Sequence, residues 1–337
     1  MKFRIRNSWR WLVALGAIFV PAVVTGALEL PFTFKAGGAI KASEVNANFA
    51  ALADKIDVLS GGSRVRPVVG TFTLANTVAD APIRSFSQSI NVAWSPALPL
   101  GKPQFSPIVI ERDTGEGSPL IDHNLCLAKA LPSASVTLGD LKIDLTQVVV
   151  VGVSAAAPRD GHPQEAISLS YGTVTYTWHP ANQPEIVVTY DIQKNVGAGG
   201  VAQAFSYGHF PTGVAADAAY VPIASFQHDI ACPAPAAGCK PQHGPLSVVK
   251  GVAADTLDTL GLVLSGKPGS TVDVDFFSDA TTINNTIQLD GALVTGVALS
   301  SDASGALAEK VSFGYRTISW TVGNVTQGWD VAANQSL

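Results

Sequence analysis

Charge is scarce in this sequence: 14% of its 337 residues are Asp, Glu, Lys or Arg, and the formal net charge is -5. No basic stripe follows the first ten residues, which argues against nucleic acid and against an anionic membrane surface as partner. No apolar run beyond Val24 is long enough to span a bilayer as a helix. H-E-x-x-H, G-x-S-x-G and P-loop patterns are all absent. The histidines, His123, His162, His179, His209, His228 and His243, converge on no motif, so we expect no enzyme and assign no catalytic, cofactor or metal residue. What is present is 31 Gly, 21 Pro and many Val, Thr and Ser between turn residues. That mixture indicates an all-β exported protein with short turns.

The first residues carry Lys2, Arg4, Arg6 and Arg10, then an apolar stretch from Trp11 to Val24, then the small residues Thr25, Gly26 and Ala27. Basic, apolar and small segments in that order predict a signal peptide over 1–27. After cleavage no stable membrane span is expected. The mature chain would be periplasmic, surface-bound or extracellular.

Sliding the chain on itself reveals a repeat. IRSFSQSI from Ile83 returns as IASFQHDI from Ile223, at an offset of 140. IDLTQVVVVGVS from Ile143 returns as IQLDGALVTGVA from Ile287, and EAISLSYGTVTYT from Glu165 returns as EKVSFGYRTISWT from Glu309, both offset by 144. Each copy closes on a similar phrase, Tyr190-Asp191-Ile192 up to Asn195 and Trp329-Asp330-Val331 up to Asn334. The domains expected are a neck and linker over 28–66, a first unit over 67–196 and a second over 197–337.

Ile167, Leu169, Tyr171 and Thr173 alternate with Ser168, Ser170 and Gly172, the period of a strand with one buried face. The run Val148 to Val151 is apolar throughout and predicts a strand covered on both faces. One short helix per unit is expected, over Pro119 to Leu131, with Leu120, His123, Leu127 and Leu131 on one face, and over Thr256 to Ser265.

The ordered set carries a family resemblance. An S-F-x-x-x-I strand comes first, then a helix before V-T-L-G or V-D-V-D, a V-x-G-V strand, E-x-[IV]-S-[LF]-x-Y, and a closing W-D-V-x-x-N. From Ile83 to Asn195, and again from Ile223 to Asn334, it resembles the Hcp tube proteins of type VI secretion systems. The resemblance implies a tandem duplication of a β-sandwich or barrel unit with one flanking helix, and assembly of such units into six-membered rings. A signal peptide and a duplication are both departures from that family.

Before the first copy, Val45, Phe49, Leu52, Ile56 and Leu59 are spaced as a heptad seam, with a helix start at Ser43 and Glu44. The stretch resembles the neck of exported bacterial surface proteins. Three chains joined there, with two ring-forming units each, would supply six units, a trimeric pseudo-hexamer. The expected function is therefore an exported structural protein that self-associates into a ring or tube. The alternatives are a monomeric secreted module holding a ligand or protein partner in loops such as Arg159 to Gln164 or Pro233 to His243, and a tube protein related to type VI secretion.

Cys232 and Cys239 bracket the loop CPAPAAGC and form a disulfide candidate in an oxidising compartment. Cys126, in NLCLA, is expected to be a small buried hydrophobe. Asp122 with His123, and His228 with Asp229, are expected to be solvated pairs. Asp273, Asp275 and Asp279 lack calcium-loop spacing and are likewise expected to be solvated. Glu165 with Glu309, and Asp191 with Asp330, hold equivalent places and should make turn or interface hydrogen bonds.

Overall fold

The computed structural model describes residues 66–95, 101–157, 163–180, 184–198, 204–232, 240–267, 271–302 and 304–337. The signal segment and the neck residues Val45, Phe49, Leu52, Ile56 and Leu59 lie outside these, as does Cys239.

The first copy contains β1 (Gly70–Leu74), β2 (Val78–Asn91), β3 (Gln104–Phe105), β4 (Ile108–Asp113), α1 (Ser118–Cys126), β5 (Ala130–Leu138) and β6 (Leu141–Ala156). It continues through β7 (Gln164–Ser170), β8 (Thr173–Trp178), β9 (Ile186–Asp191) and β10 (Val196–Ala198). The pairings β1–β2, β2–β4, β4–β7, β7–β6, β6–β5 and β5–β1, all antiparallel, close a six-stranded barrel. Closure leaves no edge within that circuit. Its interior is filled by Phe72, Leu74, Ile83, Ile110, Val136, Ile143, Leu145, Ile167 and Leu169, all at most 1% exposed.

The second copy contains β11 (Phe205–His209), β12 (Val221–Gln227), β13 (Ile230–Ala231), β14 (Gln242–His243), β15 (Leu246–Gly251), α2 (Thr256–Ser265) and β16 (Thr271–Phe277). Then follow β17 (Ile283–Asp290), β18 (Leu293–Ser301), β19 (Leu307–Gly314), β20 (Thr317–Val322), β21 (Val325–Asp330) and β22 (Gln335–Ser336). Here two strands, β17 and β18, stand where the first copy has the single strand β6. The first strand also reverses, because β11 runs parallel to both β12 and β16.

The repeated motifs mark shared irregularities of the backbone. The I-x-S element carries a register shift between Ile83 and Ser85 and another between Ile223 and Ser225. The V-x-G element carries one between Val150 and Gly152 and another between Val294 and Gly296. Bulges at equal positions bend equal strands, which is what a barrel wall needs. The closing phrases build matching hairpins: Asp191 Oδ1 accepts the Lys194 N–H and Asp330 Oδ1 accepts the Ala333 N–H. Asn195 and Asn334 then take left-handed backbone, at φ 55 and 56. Asn tolerates that conformation better than most residues, which explains its place in both phrases.

Several expectations need correction. α1 ends at Cys126, and its buried residues are Ile121 and Asn124, whereas Leu120 and Leu127 face solvent and Leu131 belongs to β5. The helical spacing of those leucines was accidental, because the turn at Leu127 and Ala128 breaks the period. α2 spans the expected residues, and its left-handed cap at Gly266 donates an N–H to the Leu262 carbonyl. Val151 is 47% exposed, so that run alternates rather than being covered on both faces. Cys126 is exposed, at the solvent end of α1. Asp275 is buried and accepts a hydrogen bond from Thr286 Oγ1 at 2.5 Å.

Candidate assembly interface

The two copies share one sheet. Residues 87–91 of β2 pair antiparallel with residues 296–300 of β18, in the register Asn91 with Gly296, Ile90 with Val297, Ser89 with Ala298, Gln88 with Leu299 and Ser87 with Ser300. The Val92 N–H extends the ladder to the Thr295 carbonyl at 2.8 Å, and the Phe86 N–H donates to Ser301 Oγ at 3.0 Å. Ile90, Val297 and Leu299 are no more than 3% exposed at this joint. Removing side chains of that size from water contributes about 1.5–3 kcal/mol each. Trp94 adds a lid: its ring lies 6.1 Å from that of Tyr315 and rests on Gly314, where a Cβ would come within 2.3 Å of the indole. Only glycine lets the indole approach the backbone so closely.

Behind each barrel wall lies a buried ion pair at matched positions. In the first copy Arg112 faces Glu165 across β4 and β7, with a 2.7 Å contact, and Ser118 at the start of α1 donates to the same carboxylate at 2.9 Å. In the second copy Lys250 faces Glu309 across β15 and β19 at 2.6 Å, and Thr256 and Thr259 of α2 both donate to that carboxylate. Lys250 Nζ also reaches Asp255 Oδ2 at 3.0 Å. The repeated glutamates therefore tie the first turn of each helix to the wall, rather than serving turns or the contact between copies. The fully paired geometry offsets the cost of burying charge. The chemistry reads as anchoring, since every carboxylate partner is a structural donor.

A second matched cluster differs in chemistry. In the first copy Gln88 donates to the Tyr171 hydroxyl at 2.5 Å, and Phe105 packs on Tyr171 and Tyr190. In the second copy the corresponding side chains are His228, Tyr315, His243 and Trp329, with Trp320 beside them. His228 Nε2 lies 2.6 Å from the Tyr315 hydroxyl, which in turn donates to the Gly244 carbonyl. The two imidazoles are 6.0 Å apart, and His243 stacks on Trp320 and Trp329. Burial pushes both imidazoles below their ordinary value, and repulsion from His243 adds to the effect at His228. His228 is thus half-buried beside a tyrosine rather than solvated. The sequence contained the signal, since His228 and Gln88 stand at equal places in the I-x-S-F motif.

Of the cysteines, Cys232 is disulfide-bonded and Cys126 is a free thiol. Among the described residues no three His, Cys, Asp or Glu side chains gather as a metal site, and no helix is long and apolar enough to cross a membrane. An open cleft of about 720 Å³ lies between the copies, with Lys102, Tyr190, Asn195 and Lys267 among its walls.

No protein-family model and no curated protein matches the chain. Solved structures do. Hcp1 from Salmonella typhimurium is 18% identical and matches 38% of this chain and 97% of its own, with a TM-score of 0.33. A type VI secretion system effector from Yersinia pestis is also 18% identical, over 36% of this chain and 98% of its own, at a TM-score of 0.30. The secreted protein Hcp3 from Pseudomonas aeruginosa is 20% identical over 33% and 74%, at 0.28.

Proposed function

We propose that this is an exported assembly protein whose two Hcp-like copies build a ring- or tube-like homo-oligomer, with three chains supplying six copies. The observation that carries the reading is the joint between β2 and β18. It joins one face of the first copy to a different face of the second, so it is heterologous, and heterologous contacts propagate into rings or filaments. In this reading the chain divides into a signal over 1–27, a neck over 28–66, and units over 67–196 and 197–337, with the Cys232–Cys239 bond closing its loop. The anchoring role of the glutamates supports the reading of a structural protein. Light scattering on the mature chain tests the proposal: a trimer or a multiple of it is expected, and a monomer at micromolar concentration overturns it.

A monomeric binding module is the second reading, favoured by the open cleft and its two lysines. It predicts a monomer, so the same measurement separates the two.

A further inference from the structure

The joint within the chain uses one half of each copy's bonding capacity and leaves the other half open. Gly152 in β6 corresponds to Gly296 in β18, so residues 152–156 are the first copy's version of residues 296–300. Residues 227–231 are likewise the second copy's version of residues 87–91. Among the described residues, no strand pairs with the outer edge of either segment.

The consequences are visible in burial and in backbone. Ile90 is 1% exposed because β18 covers it, while its equivalent Ile230 is 50% exposed. Val297 and Leu299 are buried, whereas Val153 is half-buried and Ala155 exposed. β2 runs unbroken through Gln88 and Ser89, but the corresponding strand stops at Gln227 and resumes at Ile230. The inner edge is nevertheless held in place, since Ile230 and Ala231 pair with β14 and the Gly244 N–H bonds the Asp229 carbonyl at 2.9 Å. The same bond runs from the Ser106 N–H to the Ser89 carbonyl in the first copy, at 2.9 Å. The open edge is thus preset in the geometry that the occupied one uses.

We infer that residues 152–156 of one chain add as an antiparallel strand to residues 227–231 of a second copy of the chain. This rests on the assembly reading above and names its contact. The register follows from the internal joint: Gly152 opposite Ala231, Val153 opposite Ile230, Ser154 opposite Asp229, Ala155 opposite His228 and Ala156 opposite Gln227. Val153 and Ile230 then bury each other as Val297 and Ile90 do. The small side chains of the first segment leave room for His228 and Asp229. Backbone groups supply the affinity, and the alternating side chains set the register.

Disulfide trapping on the full mature chain tests the register, in a Cys126→Ser background. Ser154 and Asp229 form a pair whose backbone groups point away from the new ladder, as those of Ser89 do, which brings their side chains closest. Ser154→Cys with Asp229→Cys should yield chains linked to one another on oxidation. Ala155→Cys with Asp229→Cys places the two thiols on opposite faces and should lose that product. Ala155 is exposed and sits on the open edge, so Ala155→Pro should shift the oligomer to monomer while leaving the melting temperature of the monomer in place. An oligomer that cross-links in neither pair, or equally in both, overturns the strand contact and leaves the ring reading standing. A monomeric parent chain overturns both.

Discussion

The two copies share registers and differ in what fills them. Bulges, hairpins and the Arg112–Glu165 and Lys250–Glu309 pairs recur at equal positions, yet arginine becomes lysine, glutamine becomes histidine, and β11 reverses relative to β1. Backbone irregularities have persisted while side-chain chemistry has drifted. A barrel wall closes only if its bends fall at fixed places, whereas a buried pair needs opposite charges and enough donors. The first copy's open half is made of small residues, and the second's contains His228, which faces His243 of β14, and has Cys232 next to it.

The largest expected difference concerns the buried ion pairs. Lys250→Met leaves two carboxylates, Asp255 and Glu309, without their cation, whereas Arg112→Met leaves only Glu165. Removing one partner of a buried pair costs about 3–5 kcal/mol, and Lys250→Met should lie at or above the top of that range. Denaturant melts giving equal losses would break the asymmetry.

Next is the glycine under Trp94. Gly314→Ala drives a Cβ into the indole and should cost about 1–3 kcal/mol. Its equivalent Ser170 is exposed, so Ser170→Ala should stay within about 0.5 kcal/mol. Trp94 fluorescence should shift to the red only in the first variant.

A smaller effect separates Gln147 and Gly291, which share left-handed backbone at φ 53 and 60. The side chain costs about 1 kcal/mol in that region. Gln147→Gly should raise the melting temperature, and Gly291→Gln should lower it. Effects of the same sign would show that the two positions are not equivalent.

The smallest effect is one of pH. Burial holds His228 and His243 below the ordinary imidazole value in the folded chain. On acidification the unfolded chain therefore takes up protons first. Stability is fully present above about pH 6.5 and falls as the pH drops from there toward the depressed folded values. His228→Gln with His243→Phe installs the first copy's residues and should remove that part of the slope in melts between pH 7 and 5.

Much of the fold was legible because its signals are local. Alternation in the run from Glu165 and the turn residues of the closing phrases depend on neighbours along the chain. The helix at Thr256 was found at its observed ends because Gly266 stops it. The helix at Ser118 was overextended because Leu127 and Leu131 continue a helical period by coincidence. The roles of Glu165 and Glu309 were misplaced because their partners lie about fifty residues away. Cys126 was expected to be buried from its apolar neighbours, but exposure depends on which face of α1 meets the wall.

The duplication and the strand periods were readable in the sequence, the first from phrases that recur along the chain and the second from residues within a few places of one another. Only the tertiary structure decided which edges meet. The pairing of β2 with β18 joins residues some two hundred positions apart, and edge backbone groups carry no side-chain signature. The same pairing shows which halves are left open, because Ile90 and Ile230 occupy like positions in the sequence and differ only in what covers them.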